Sequence, residues 1–276
     1  MGATNTFGIL ASTYTNTIGV TTIGGDLGYA IGPAVAPTVS GTTHTADATY
    51  DQAGLDQASA LVSLNSQEAT FSFAPGAINL ATDTTHGPAG VYTPGVYVIA
   101  GAASIGTAGI TLNGAGTYIF RMDGALTSVA DSAVRLTNGA SSCDVFWTPT
   151  QATTLGANST FAGTDIDASG ITIGSTVIWA GKALAFGGTV STEDDTITVA
   201  DCAAAEDAAR AGAGVTATAT SASTSVDASS SATATTKFPN TGSLPTQNTI
   251  LWSVVILNGI LTISILVYLA RRKQTK

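Results

Sequence analysis

The sequence predicts a mainly β chain wound into a β-solenoid, with one helix packed alongside it and a transmembrane helix near the C-terminus. Three observations predict this. Beyond about residue 90 the chain reads as short strands broken by Gly, within a composition rich in Thr, Ala, Ser, Val and Ile. Apolar residues there recur at intervals near 18. Residues 249–270, "TILWSVVILNGILTISILVYLA", carry no charge over 22 positions, enough at about 1.5 Å per residue to cross a bilayer.

The helix comes first along the chain. "THTADATYDQAGLDQASALVSLNS", residues 43–66, places Leu55, Ala58 and Val62 on one stripe with Leu61 beside them. The expected helix runs from about 45 to 66, capped by Thr45 or Asp47, with that stripe packed against something larger.

The repeat follows. "FAGT" (161–164) and "WAGK" (179–182) lie 18 residues apart, and Ile197 falls 18 after Trp179. A second column, Leu136, Leu155, Ile173 and Val190, is spaced by 19, 18 and 17. Its last three members follow Thr154, Thr172 and Thr189. One coil per repeat gives about six residues to each side of a triangle, stacked about 4.8 Å apart. Leu155, Ile173 and Val190 then face inward and the three threonines outward. Upstream the register breaks, because Thr111–Leu112 matches the pattern 24 residues before Leu136. A β-sandwich offers similar strands but no reason for an 18-residue register.

Composition narrows the function. Only 10% of residues are charged, against about 25% in ordinary soluble domains. Nine basic and eighteen acidic residues give a net charge of −9. With no basic stripe, nucleic acid is excluded as a partner. Cys143 and Cys202 have neither CxxC spacing nor a His cluster, which leaves zinc unsupported. They are either buried free thiols or one disulfide, and secretion favours the disulfide.

Residues 203–237 form an Ala/Ser/Thr-rich tract with no sustained apolar period, read as a disordered stalk. Phe238, Pro239, Asn240, Thr241 and Gly242 follow, then the apolar span, then the basic tail 271–276. That order resembles the sorting signal of Gram-positive surface proteins, in which sortase cuts between Thr and Gly of L-P-x-T-G. Phe238 replaces the usual Leu. The resemblance implies attachment to the cell wall through Thr241; without processing, the same span tethers the chain to the membrane with its basic tail in the cytoplasm. Export requires a signal peptide, and "MGATNTFGIL" is not one, so the start is expected to be truncated.

The blocks "TFGILASTYTNTIGVTTIGGDLG" (6–28), "GTTHTADA" (41–48), "GVYTPGVYVIAGAASI" (90–105), "GTYIFRMDGALT" (116–127), "NGASSCDVFWTP" (138–149) and "ATTLGANSTFAGTDIDASGITIGSTVIWAGKALA" (152–185) resemble the microbial ice-binding proteins often called DUF3494. The resemblance covers nearly all of residues 1–202. It implies a discontinuous, right-handed β-solenoid of triangular section with one long helix alongside, ice binding through one flat face, no cofactor, no metal and no catalysis. Some members of the family are cell-surface ice adhesins.

The chemistry of such a face suits Thr, whose hydroxyl joins an ordered water layer while its methyl keeps neighbouring water weakly held. The candidates are the ladder Thr154, Thr172 and Thr189, with Thr160, Thr164, Thr176 and Ser191 around it. Lys182 and Asp165 would interrupt the face if they pointed that way. Two other readings stand beside this one. A surface adhesin or structural module of the same fold would recognise glycan or protein. A carbohydrate-active enzyme would need convergent carboxylates, for which only Glu193-Asp194-Asp195 and the pair Asp165 and Asp167 offer themselves. His44 and His86 are 42 residues apart, and His44 reads as capping or packing rather than metal binding.

Overall fold

A computed structural model describes residues 2–200 and Cys202. The stalk, the 238–242 motif, the apolar span 249–270 and the basic tail lie outside the described residues. Among the described residues no helix is long and apolar enough to cross a membrane.

The described residues form a mainly β fold with one α-helix. Every pairing between the strands is parallel, and each circuit of the chain returns to the same three columns of strands, here called faces A, B and C. Strand Ile178–Thr192 shows the scheme: its start lies in face C, its middle in face A and its end in face B.

The column order departs from the sequence order. The first strand, Phe7–Asn16, pairs with Ile178–Thr192, so the earliest strand lies beside one of the last. Asp26–Tyr29 and Thr43–Thr45 add two more rungs to face A. The chain must then reach the far end, where Phe71–Ser72 starts the remaining rungs. The helix Ala48–Asn65 makes most of that journey. Its 18 residues span about 27 Å at 1.5 Å each.

Asp47, not Thr45, caps the helix, its carboxylate accepting the Tyr50 N–H at 2.8 Å. Thr45 belongs to the preceding strand. The expected Leu55–Ala58–Val62 stripe faces solvent, with Leu55 66% and Val62 70% exposed. The face turned to the sheet is instead Tyr50, Ala53, Gly54 and Gln57. Close approach explains the reversal: a Cβ at Gly54 would lie 2.5 Å from the Phe186 ring. The helix therefore comes closest at Gly54, with Tyr50, Leu61 and Leu64 packed around that contact while Leu55 and Val62 are turned to solvent.

Inside the stack, aromatic rings climb from rung to rung. Phe71, Tyr97, Phe120, Trp147, Phe161 and Trp179 follow one another at centroid separations of 4.8, 4.9, 4.4, 5.3 and 5.0 Å. The Trp147 and Trp179 indoles donate to the carbonyls of Ala162 (2.9 Å) and Gly163 (2.8 Å). Each large ring thus fills the core without stranding its polar edge.

The 18-residue register holds where Phe161 pairs with Trp179 and Trp179 with Ile197. Leu155, Ile173 and Val190 are all buried. Two members of the expected second column are misplaced, however. Leu136 pairs with Leu112 in face C, and Val190 pairs with Ile171 rather than Ile173. A slip of two residues keeps every side chain on its own side of the strand, so inward and outward were read correctly while the rung was not.

Candidate functional site: the outward plane of face B

Face B presents one unbroken outward column. Asn79 pairs with Ser104, Ser104 with Thr127, Thr127 with Thr154, Thr154 with Thr172, Thr172 with Ser191 and Ser191 with Thr15. Seven rungs in parallel register extend about 29 Å at roughly 4.8 Å per step. The residues preceding and following each rung are core groups such as Ala103 and Ile105, Thr153 and Leu155, or Ile171 and Ile173, all buried. Strand alternation therefore fixes the column outward.

The positions flanking the column are small or uncharged except at Glu193, and two of them, Ala81 and Gly170, are buried rather than outward. Ala77, Ala102, Ala125, Ala152, Gly170, Thr189 and Thr13 precede the column members by two residues; Ala81, Gly106, Val129, Gly156, Gly174, Glu193 and Thr17 follow them by two. The glycines are required by close stacking, since a Cβ on Gly156 would lie 2.3 Å from the Val129 backbone and one on Gly174 2.7 Å from the Ala157 nitrogen. Glu193 is the one charged residue among these positions, and its carboxylate accepts a hydrogen bond from Thr17 at 3.3 Å.

The hydroxyls differ in what they do locally. Thr15 donates to Ser191 at 2.8 Å, and Ser104 donates to the Ile78 carbonyl at 3.2 Å. Those of Thr154 and Thr172 make no hydrogen bond to the described residues and are left to bond water.

The candidates from sequence divide accordingly. Thr154, Thr172 and Ser191 share the column. Thr189 does not: it lies two positions before Ser191 and pairs with Thr13. Thr160 lies in face C, paired with Ile178. Thr164 is buried in face A, where it lines a cleft of about 390 Å³ with Lys182, Phe146, Cys143 and Cys202. Thr176 occupies a corner at φ 60° and donates to Asn158 and to the Ser175 carbonyl. Cys143 and Cys202 are joined, with Cα atoms 5.5 Å apart.

Asn79, Ser104, Thr127 and Thr15 were missed by sequence reasoning. Corners of unequal length put 25, 23 and 27 residues between Asn79, Ser104, Thr127 and Thr154, which hides any fixed period. A shorter signal was present: Ser104-Ile105-Gly106, Thr154-Leu155-Gly156 and Thr172-Ile173-Gly174 repeat hydroxyl, apolar, Gly.

Charges that would disturb the plane are turned elsewhere. Asp165 points into the core beside Trp147 and Ala183, and burial pushes its carboxyl well above the usual range. Asp167 is raised for the same reason. Lys182 is only 6% exposed in face A, and burial lowers its ammonium to about 8. Asp195 closes a corner, accepting the N–H groups of Val177 and Glu193 at 2.8 Å each, and burial raises it to about 6. His44 Nδ1 lies 2.8 Å from Asp47 and its ring packs 5.3 Å from Phe7. Among the described residues no group of three or more His, Cys, Asp and Glu is placed to hold a metal ion.

A regularly spaced column of uncharged side chains equips a protein to recognise an extended surface. Residues 9–198 match the family described as Ice-binding-like, and the chain belongs to that family. An ice-binding protein of Nostoc sp. (strain HG1) is 30% identical over 214 residues, covering 72% of this chain and 73% of the relative. Two crystal structures resemble the fold. An ice-binding protein from an Antarctic biological consortium is 25% identical with a TM-score of 0.64, covering 71% of this chain and 89% of its own. One from the Antarctic ascomycete Antarctomyces psychrotrophicus is 29% identical with a TM-score of 0.61, covering 72% and 97%.

Proposed function

We propose that this chain binds ice, and that it does so through the outward plane of face B. The observation that carries the reading is the seven-rung column from Asn79 to Thr15. Rungs about 4.8 Å apart and alternate residues about 6.8 Å apart make a two-dimensional array of roughly ice-like repeat. Each hydroxyl contributes little, so affinity comes from many aligned groups. We read the winding of the chain as the discontinuous, right-handed β-solenoid of triangular section that the family resemblance implies, and the chain as a non-enzyme that inhibits ice growth and recrystallisation by adsorption.

The location is part of the same proposal. The stalk 203–237 would carry the domain outward from the envelope, with Phe238–Gly242 offered to a sortase and residues 249–270 spanning the membrane. Such a chain would act as a cell-surface ice adhesin.

The test is thermal hysteresis of the full chain with Thr172→Tyr and Thr189→Tyr as variants. The wild type should shape ice crystals and depress their growth. Thr172→Tyr should lose most of that activity, and Thr189→Tyr, off the central column, should lose less. A wild type without hysteresis and without effect on recrystallisation sinks the ice reading and leaves glycan or protein recognition to be tested on an array.

A further inference from the structure

We propose that face C carries a second ice-adsorbing surface, so that the molecule has two separate faces for ice; the proposal rests on the ice-binding reading of face B. From residue 160 onward the outward column of face C runs Thr160, Ile178, Thr196, Thr22 and Thr38, each in parallel register with the next. All five side chains are exposed. The opposite sides of these strands are held by Phe161, Trp179, Ile197 and Ile23, which are buried. Four steps of about 4.8 Å make a column of about 19 Å.

Three features separate this column from ordinary strand surface. It contains no charged residue, although the neighbouring part of the same face does. There Arg135 pairs with Thr111 in a distinct three-stranded sheet, joined to the Thr160 rung by a single bridge at Ala133. Its one apolar member is turned to water: Ile178 is 59% exposed, and Ile18 (68%) and Val20 (60%) lie exposed in the loop leading to Thr22. Exposed aliphatics among methyl-bearing threonines make a weakly hydrated surface. Thr22-Ile23-Gly24 also repeats the hydroxyl, apolar, Gly order that marks the face B rungs.

Faces B and C are different sides of one stack, so a single flat crystal plane cannot touch both columns together. Glu193 and Asp194, at the corner between them, set a strongly hydrated divide. Face C would therefore add ice planes to those reached by face B rather than extend the same patch.

The experiment uses the full chain fused to a fluorescent protein and a single-crystal ice hemisphere grown in its solution. Thr172→Tyr, Thr196→Tyr and the double variant are compared with the wild type, and circular dichroism melts check folding. If Thr196→Tyr fails to fold, Ile178→Lys at an exposed position replaces it. The wild type should stain more than one set of planes. Thr172→Tyr should keep a set that Thr196→Tyr loses, and the double variant should leave the hemisphere dark. A Thr172→Tyr protein that stains nothing, or a Thr196→Tyr protein with the wild-type pattern, overturns the second surface and leaves face B standing. An unstained wild type overturns both.

Discussion

Replacing Trp147 by Ala removes a fully enclosed ring from the middle of the aromatic column. Trp147 is fully buried, stacked 4.4 Å from Phe120 at an interplanar angle of 12°, and 5.3 Å from Phe161 on its other side. Truncating a buried Trp costs about 3–5 kcal/mol in lost transfer energy and residual cavity. Losing the indole donor to the Ala162 carbonyl adds about 1 kcal/mol. The sum, about 4–6 kcal/mol, is a large part of the roughly 5–15 kcal/mol by which domains are stable. For a domain of this size it should lower Tm by about 10–20 °C. The neighbouring Phe146 is the control. It lies on the same strand, faces the other way and is only partly buried, so Phe146→Ala should cost markedly less. Calorimetry and urea melts of the three proteins make the comparison. A loss below about 2 kcal/mol for Trp147→Ala, or equal losses for both variants, would refute the claim that the rungs cohere through this column rather than through their backbone ladders.

The buried Asp195 makes stability fall with pH. Its carboxyl is raised from 3.8 to about 6, so the unfolded chain releases this proton first; the contribution is complete below about 3.8 and lost as pH rises through about 6. The difference corresponds to about 3 kcal/mol, and urea midpoints taken from pH 4 to pH 7 should show a slope that Asp195→Asn reduces. Breaking the Cys143–Cys202 bond reopens a loop with a sequence separation of 59. Loop closure of that length is worth about 4 kcal/mol, so Cys143→Ser and treatment of the wild type with reductant should lower Tm by the same amount.

Much of the fold is legible in the sequence, for identifiable reasons. Alternation along a strand tells inward from outward, and Leu155, Ile173, Val190, Thr154 and Thr172 were placed on the correct sides by it. Rung assignment is harder because a two-residue slip costs the alternation nothing, so spacing alone pairs Thr172 with Thr189 where the structure pairs it with Ser191. The insertion of Phe7–Asn16 beside Ile178–Thr192 leaves no mark in local sequence, so Thr15 could not be assigned to the column. The helix stripe failed for a different reason. Apolar spacing groups Leu55, Ala58 and Val62 on one stripe, whereas the close contact of Gly54 with Phe186 turns a neighbouring face, with Tyr50, Ala53, Leu61 and Leu64, towards the sheet.

The fate of the charges ties the fold to the plane. The chain is acidic, with a net charge of −9, yet the seven-rung column contains no ionisable side chain. Asp165, Asp167, Lys182 and Asp195 are withdrawn from the surface at a cost visible in their shifted pKa values. The acidic groups Asp47, Asp51 and Asp56 cap or ride on the helix over face A. The helix therefore does two things at once. It returns the chain to the far end of the stack, and it occupies face A with the charged residues that a weakly hydrated plane must exclude. Moving a charge onto the bare side is then the most economical way to abolish adsorption. Thr154→Lys should remove thermal hysteresis while leaving the melt unchanged, because the exposed ammonium is solvated in the folded and unfolded chain alike. A variant that still binds ice would show that the working surface lies elsewhere.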